Sequence, residues 1–419
     1  MSKVIKILAL GLSQSNFLGQ LYGDLKKSYK NYKIGVNEFY DLSKGKIEIE
    51  EKIFSAFFNF KNEKVSRLES DRSFINFSST HLFWEIYFFE RSQGKSRKET
   101  YHFLRRMAYD KVIVEKYVLK SNYDIYHFHY CSPKNLNYLH FFPKEKKVVC
   151  SFWGSDLMRE TGVRNIFYVS KALEKASSIT IQNKELAEML YCKYGRELKD
   201  KTNIVQFTIS TQIYNFIDLF RNNPEEIQNF KIKYGIPLDK KIITVSHNAF
   251  VANNHIDILK TMDDLPVDVK SRFAFVLPLG YGRNEEYLSK LEQFKISSSN
   301  KIFLLHQFFG PEETALLRLS TDIMVQMPVS DAMSGAMTEI LYAGKQVITG
   351  SWLPYGLLRR NGVQFIEVDE FGQLPEIVEN YCNNEDNFKK NNLKNAEKIK
   401  AFLFPDSTTP AWNKIFDKL

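Results

Sequence analysis

Cysteine is scarce in this chain: Cys131, Cys150, Cys192 and Cys382 are the four among 419 residues. No two stand at C-x-x-C spacing, which excludes a cysteine-based metal knuckle, and a chain this long is no small disulfide scaffold. Reduced thiols in a cytoplasmic protein are the expectation. No stretch approaches the roughly 18 apolar residues that a membrane span needs, so none is expected to cross a bilayer. The opening "MSKVIKILALGLSQSN" has a brief apolar run without a small-residue cleavage pattern; it reads as a first buried strand rather than a signal peptide. Internal repeats, low-complexity tracts and the usual nucleic-acid-binding motifs are all missing, which argues against a nucleic-acid partner.

What is present is an ordinary soluble composition, 44% hydrophobic and 26% charged, on a chain long enough for two domains. Lys plus Arg number 58 against 49 Asp plus Glu, a net charge of +9. That balance favours an anionic partner such as a phosphate or an acidic lipid headgroup, although an idle basic surface would give the same count.

Strand-like and helix-like segments alternate. "KVIKILALG", "DIYHFHY", "KVVCSFWG", "SSITIQ" and "TNIVQF" form one series of apolar runs. "KKIITVSHN", "RFAFVLPLGYG", "KIFLLHQF", "DIMVQMP", "KQVITG" and "VQFIEV" form a second. Continuous apolar strands separated by helices predict parallel sheets covered on both faces. The polar stretch "DLFRNNPEEIQNFKIKYG" between the series predicts a boundary, giving an α/β domain over residues 1–225 and another over 226–402, with a C-terminal helix at 403–419 packing back on the first. Ligands of such sheets bind beyond the carboxyl ends of the strands. The candidate positions are therefore 11–13, 127–132, 153–156, 247–255, 280–283, 306–308 and 328–335.

The richest of these is "SDAMSGAMTEILYAGKQVITG" (330–350). Ser334 suits an N-cap. Gly335, Ala336, Met337 and Thr338 would follow as a first turn with uncovered amides, an arrangement that attracts anions. Glu339 shares the helix face of Gly335 and Ala336. A carboxylate beside an anion site makes sense if it binds ribose hydroxyls; small residues packed on the sheet, with Glu339 solvated, are the competing reading. "SHNAFVANNHIDILK" brings His247, Asn248, Asn254 and His255 to the same edge, as ligands or as a plain loop. "LPLGYGR" offers Gly280 and Gly282 for close backbone approach and Arg283 for a diphosphate, or merely a turn. His127 and His129 share one face of a strand. Metal ligation would need a third ligand, and none is near in sequence. Asp156 is either a loop cap or a catalytic or sugar-binding acid. The segment 81–112 combines aromatics with Lys95, Arg97, Lys98, Arg105 and Arg106, which suits an anionic membrane surface or an aromatic core with a solvated basic face.

Taken in order, these motifs resemble the GT-B glycosyltransferases, enzymes with two Rossmann-like domains facing across a cleft. Retaining members carry an E-x7-E signature followed by "EA-x-A-x-G-x-P-V-I". Here Asp331 and Glu339 occupy the acidic positions, and "EILYAGKQVITG" follows. "WGSD" (153–156) resembles the family's "HGSD". "SHNAFVANNHIDIL" and "VLPLGYG" also resemble segments of the lipid-linked 4-acetamido-4,6-dideoxygalactose transferases of enterobacterial common antigen synthesis. The Arg and Lys that usually follow the first strand of the second domain are absent, so His255, Arg283 or the helix start at 335–338 must offset the diphosphate charge.

The resemblance implies a metal-independent, cofactor-free transferase that takes a nucleoside diphosphate sugar and glycosylates a glycan or lipid-linked acceptor of the bacterial cell envelope, in the cytoplasm or at the inner face of the membrane. Asp331 would hold sugar hydroxyls, the amides of 334–338 the diphosphate, and Glu339 the ribose. The base would lie near His306–Phe308, with Ser330 lining the same site. Asp156, His127 or His129 would face the acceptor. A GT-B-shaped nucleotide-sugar epimerase and a non-enzymatic basic module that binds membrane or nucleic acid are the alternatives.

Overall fold

A computed structural model describes residues 4–11, 16–37 and 53–419. The chain folds as two compact units: residues 1–182, 186–208 and 408–419 form the first, and 183–185 with 209–407 form the second. Residues 12 and 13, expected at the end of the first strand's site, lie outside the described residues.

The first unit has a parallel sheet of β1 (Ile5–Gly11), β2 (Tyr32–Asn37), β3 (Ala56–Phe58), β4 (Ile125–His129), β5 (Lys147–Ser151), β6 (Ser178–Ile181) and β7 (Thr202–Ile204), in the order β3-β2-β1-β4-β5-β6-β7. The second has β8 (Lys241–Val245), β9 (Phe273–Pro278), β10 (Ile302–Leu305), β11 (Ile323–Gln326), β12 (Gln346–Gly350) and β13 (Ile366–Val368), in the order β10-β9-β8-β11-β12-β13. In both sheets the progression reverses beside the first strand, between β1 and β4 and between β8 and β11. Those reversals are switch points, where neighbouring connections leave to opposite faces and open a crevice. β2 and β3 are additions to the sequence reading: Lys33 and Gly35 interrupt the apolar run of one, and the other is three residues long.

The polar stretch after residue 218 is helical rather than a linker. Helices Gln212–Phe220 and Pro224–Lys233 bury Tyr214, Ile217, Phe220 and Phe230 in one cluster with Ala315, Leu316 and Leu341 of the second unit. This packing moves the boundary from 225 back to 208. The C-terminal boundary also shifts, from 402 to 407. Helix Pro405–Lys418 then places Trp412 and Phe416 in the core of the first unit with Ile7, Ile34 and Val149. Trp412 Nε1 donates to the Gln206 carbonyl at 2.8 Å.

Helices Arg67–Ser78 and Arg97–Ile113 each begin with a capping box, Ser66 with Glu69 and Ser96 with Glu99. Between them, helix His81–Ser92 buries Phe83 and Ile86 and turns Trp84 and Phe88 outward, 48% and 63% exposed. Among the described residues no helix is long and apolar enough to cross a membrane.

Candidate functional site

The crevice between β8 and β11 gathers most of the residues singled out in the second unit. β8 is followed by Ser246, a non-glycine residue at φ 57°, a conformation that costs free energy and concentrates at functional turns. The turn delivers His247 over Gln326, the last residue of β11. Asn248 Nδ2 lies 2.8 Å from His247 Nε2, and Gln326 Oε1 lies 3.2 Å from His247 Nδ1. An amide nitrogen only donates, so Nε2 is the acceptor and Nδ1 carries the hydrogen. Burial pulls the His247 pKa down to about 4, with the Gln326 hydrogen bond opposing and Arg318 adding to the drop. His247 is therefore a neutral group at pH 7. Asn248 Oδ1 accepts from the Phe250 amide and from Asn253 Nδ2, at 2.9 and 2.7 Å. Asn254 sits in the left-handed region and ties the loop to the Met327 carbonyl at 2.9 Å. His255 is fully buried. Its Nδ1 meets the Tyr287 hydroxyl at 3.1 Å, and its Nε2 has no partner among the described residues, nor has Gln326 Nε2. Burial holds the His255 pKa near 4, so it does not supply the cation expected of it.

Beyond β11, Ser334 caps helix Gly335–Tyr342, accepting from the Met337 amide at 3.2 Å. Thr338 N already bonds the Ser334 carbonyl at 3.1 Å, and its hydroxyl donates to Gly335 O at 2.8 Å. The open amides are those of Gly335 and Ala336 alone. Ala336, Met337 and Thr338 are buried. Gly335 is exposed, and a Cβ there would meet nothing closer than Glu339 Oε1 at 4.0 Å. Ala336 thus packs inward as a small residue, while Gly335 leaves its backbone uncovered. Asp331 accepts from the Tyr355 hydroxyl at 2.6 Å, and Ser330 precedes it in the same loop.

Glu339 is not solvated. Its Oε2 takes a hydrogen bond from Arg318 Nε at 2.9 Å, with side chains 12% and 8% exposed. Burial raises the Glu339 pKa, and Arg318 opposes the rise. Glu339 Oε1 and the terminal nitrogens of Arg318 make no hydrogen bond to any described residue. Arg318 comes from helix Pro311–Ser320 and was missed in the sequence. The signal was there: a cation inside "TALLRLS", on the buried face with Ala315 and Leu319.

The loops after β9 and β10 form a second group. A Cβ on Gly280 would stand 2.4 Å from the Gln307 carbonyl, so only glycine fits. Gly282 is at φ +75°, over the Phe250 ring. Arg283 donates to the His306 carbonyl rather than standing open. His306 Nε2 is 3.1 Å from Glu292 Oε1, and Phe308 is 75% exposed.

The first unit departs most from expectation. His127 and His129 are fully buried and face inward, their rings 3.8 Å apart. The Tyr22 hydroxyl bridges them at 2.9 and 2.8 Å, and Ser151 Oγ lies 2.6 Å from His127 Nε2. Burial takes the His127 pKa to about 3 and holds His129 well below its ordinary value. Among the described residues no group of three or more His, Cys, Asp or Glu could hold a metal ion. Asp156 is also fully buried. Its Oδ2 accepts from Cys131 N at 2.6 Å; its Oδ1 accepts from Trp153 N and Gly154 N at 2.9 Å and from Leu157 N at 3.1 Å. Burial raises its pKa to about 6 against those bonds. All three side chains are buried within the first unit, where Asp156 organises the loops after β4 and β5 through four backbone amides.

No protein-family model and no curated protein matches the sequence. Solved structures match the fold. The Anabaena protein HepE, in complex with UDP and glucose, superimposes with a TM-score of 0.70 over 100% of both chains at 13% identity. A glycosyltransferase from Rickettsia africae gives 0.71 over 100% of this chain and 99% of that one at 13% identity. Sucrose-phosphate synthase from Thermosynechococcus elongatus gives 0.67 over 100% and 99% at 10% identity. The chain has the α/β two-domain GT-B fold of these proteins.

Proposed function

We propose that the chain moves a sugar from a nucleoside diphosphate sugar to an acceptor hydroxyl, in the assembly of a bacterial surface glycan on a lipid-linked or polysaccharide acceptor. The observation that carries this reading is Glu339: one carboxylate oxygen is pinned by Arg318 and the other is open at the β8/β11 crevice, where vicinal ribose hydroxyls would donate to it. The fold neighbour HepE, solved with UDP and with UDP-glucose, supports a nucleotide sugar as the ligand class.

In this reaction the bond between the anomeric carbon and the diphosphate oxygen breaks. The acceptor oxygen bonds to that carbon, and the nucleoside diphosphate leaves with the electron pair and takes up the acceptor's proton. The protein's part is to meet the growing charge with fixed donors. The Gly335 and Ala336 amides and the helix dipole are two such donors. The terminal nitrogens of Arg318 are the third, and they replace the Arg and Lys missing from "SHNAFVANNH". Asp331 is left to hold sugar hydroxyls, and neutral His247 and His255 to hydrogen-bond without adding charge. Outward Trp84 and Phe88, followed by Arg91, Lys95, Arg97 and Lys98, support an anionic membrane surface as a partner.

Calorimetric titration of UDP and UDP-glucose against wild type, Glu339→Gln and Asp331→Asn, together with turnover of the nucleotide sugar, tests the site. Wild-type affinity and turnover in both variants would remove the assignment.

A further inference from the structure

The loop after β9 carries an aromatic side chain, Tyr281, between two constrained glycines. Gly280 packs on the Gln307 carbonyl, and Gly282 stands at φ +75° over the Phe250 ring. The Tyr281 carbonyl accepts from the Ala249 amide at 2.9 Å, and its ring meets the Phe250 ring edge-on at 6.2 Å. The loops after β8 and β9 are thereby fastened together, with Tyr281 left 45% exposed.

The hydrogen bonds that reach its hydroxyl all run one way. Asn248 Oδ1 accepts from the Phe250 amide, and a backbone N–H only donates, so the other arm of Asn248 is its NH2. That NH2 has two hydrogens. One goes to His247 Nε2 at 2.8 Å, the other to the Tyr281 oxygen at 3.3 Å. Tyr281 is therefore the acceptor of this bond, and its own O–H hydrogen meets no acceptor among the described residues. Burial raises the pKa of the hydroxyl; the Asn248 amide and Arg318 lower it, and Glu339 and Asp331 add to the rise. The group keeps its hydrogen at pH 7. Arg318, Glu339 and Asp331 are the charged groups of the β8/β11 crevice, and their reach to the hydroxyl puts the free O–H beside it.

We propose that Tyr281 is a binding residue for the nucleotide sugar, its O–H donating to the diphosphate. The proposal rests on the reading of the chain as a nucleotide-sugar transferase. A group that only donates here needs a ligand atom that only accepts. Phosphate oxygens are such atoms, whereas ribose hydroxyls are needed as donors to Glu339. The bond to a charged oxygen is also stronger than one to a neutral oxygen. A hydroxyl oriented in advance by Asn248 meets that charge without reorganising, in a chain that lacks the Arg and Lys after β8.

The test is calorimetric titration of inorganic pyrophosphate, UDP and uridine against wild type and Tyr281→Phe, which keeps the ring and removes only the O–H. Pyrophosphate and UDP should each bind the variant about tenfold or more weakly, while uridine affinity stays at its wild-type value. Wild-type pyrophosphate affinity in the variant overturns the proposal, as does a loss with uridine as large as with UDP, which would assign the hydroxyl to the nucleoside. Failure of wild type to bind either pyrophosphate or UDP overturns it together with the donor reading. UDP bound no more tightly than pyrophosphate sinks the nucleotide reading alone, because the pyrophosphate comparison still decides the role of Tyr281.

Discussion

Arg318 Nε stands 2.9 Å from Glu339 Oε2, with both side chains nearly closed to solvent and the carboxylate's second oxygen left open. The pair holds its geometry through packing. Glu339→Gln keeps the shape and loses the charged acceptor; a hydrogen bond to a charged group is worth about 1.5–3 kcal/mol, so UDP affinity should drop by about 10- to 100-fold, and the melting temperature should fall as well because Arg318 stays buried without its counter-charge. Arg318→Ala strands a buried carboxylate and should cost about 3–5 kcal/mol in denaturant unfolding. Arg318→Lys should recover stability but not nucleotide affinity, because a point charge does not reproduce the planar fork.

Asp156→Asn separates a loop organiser from a catalytic acid. An asparagine oxygen can still accept, but its NH2 faces amide donors, so stability should fall by about 2 kcal/mol or more while UDP affinity is preserved. Loss of turnover at unchanged stability would restore Asp156 to a chemical role.

Acid should destabilise the protein through its buried histidines. The folded pKa values are about 3 for His127 and about 4 for His140, His247 and His255, below the unfolded value near 6.5. As pH falls through 6.5 the unfolded chain takes up protons that the folded chain refuses, so stability declines from pH 6.5 downward, by about 1.4 kcal/mol per pKa unit of depression. Urea melts at pH 7.5 and 5.5 measure the slope, and His127→Gln should lessen it.

Gly280→Ala and Gly335→Ala should behave in opposite ways. The first drives a Cβ into the backbone carbonyl of Gln307, which should cost about 1–3 kcal/mol and loosen the loop holding Arg283. The second makes only an ordinary contact, 4.0 Å to Glu339 Oε1, at ordinary φ and should leave the melting temperature within a degree or two.

If helix His81–Ser92 docks on a membrane, the protein should sediment with vesicles rich in anionic lipid and release at high salt, as each nearby cation contributes about 1 kcal/mol. Trp84→Ala/Phe88→Ala should abolish sedimentation without touching UDP binding. Equal sedimentation with neutral vesicles would count against the docking face.

Much of the fold was legible because parallel strands buried on both faces read as unbroken apolar runs, as in "FAFVLP" of β9, buried throughout. β3 escaped notice because three edge residues carry no period. Asp331 and Glu339 were legible because a strand, a loop and a helix start are contiguous in sequence. Arg318 was not, since its partner arrives through the packing of two helices. The i, i+2 spacing put His127 and His129 correctly on one face, but spacing alone does not say that this face is the interior. The Asp156 alternatives were separable only by seeing where four backbone amides point.

Chain connectivity imposes one last condition. The polypeptide passes from the first unit to the second near residue 208 and returns near 407, so the first unit is discontinuous and its final piece brings Trp412 to 5.7 Å from the His127 ring. A fragment ending at 208 would expose that aromatic seat to water and should aggregate. Joining 408–419 to residue 208 through a short linker should yield a soluble fragment, and 209–407 carries all of the second unit but residues 183–185. An isolated first unit is therefore a matter of splicing, not of truncation.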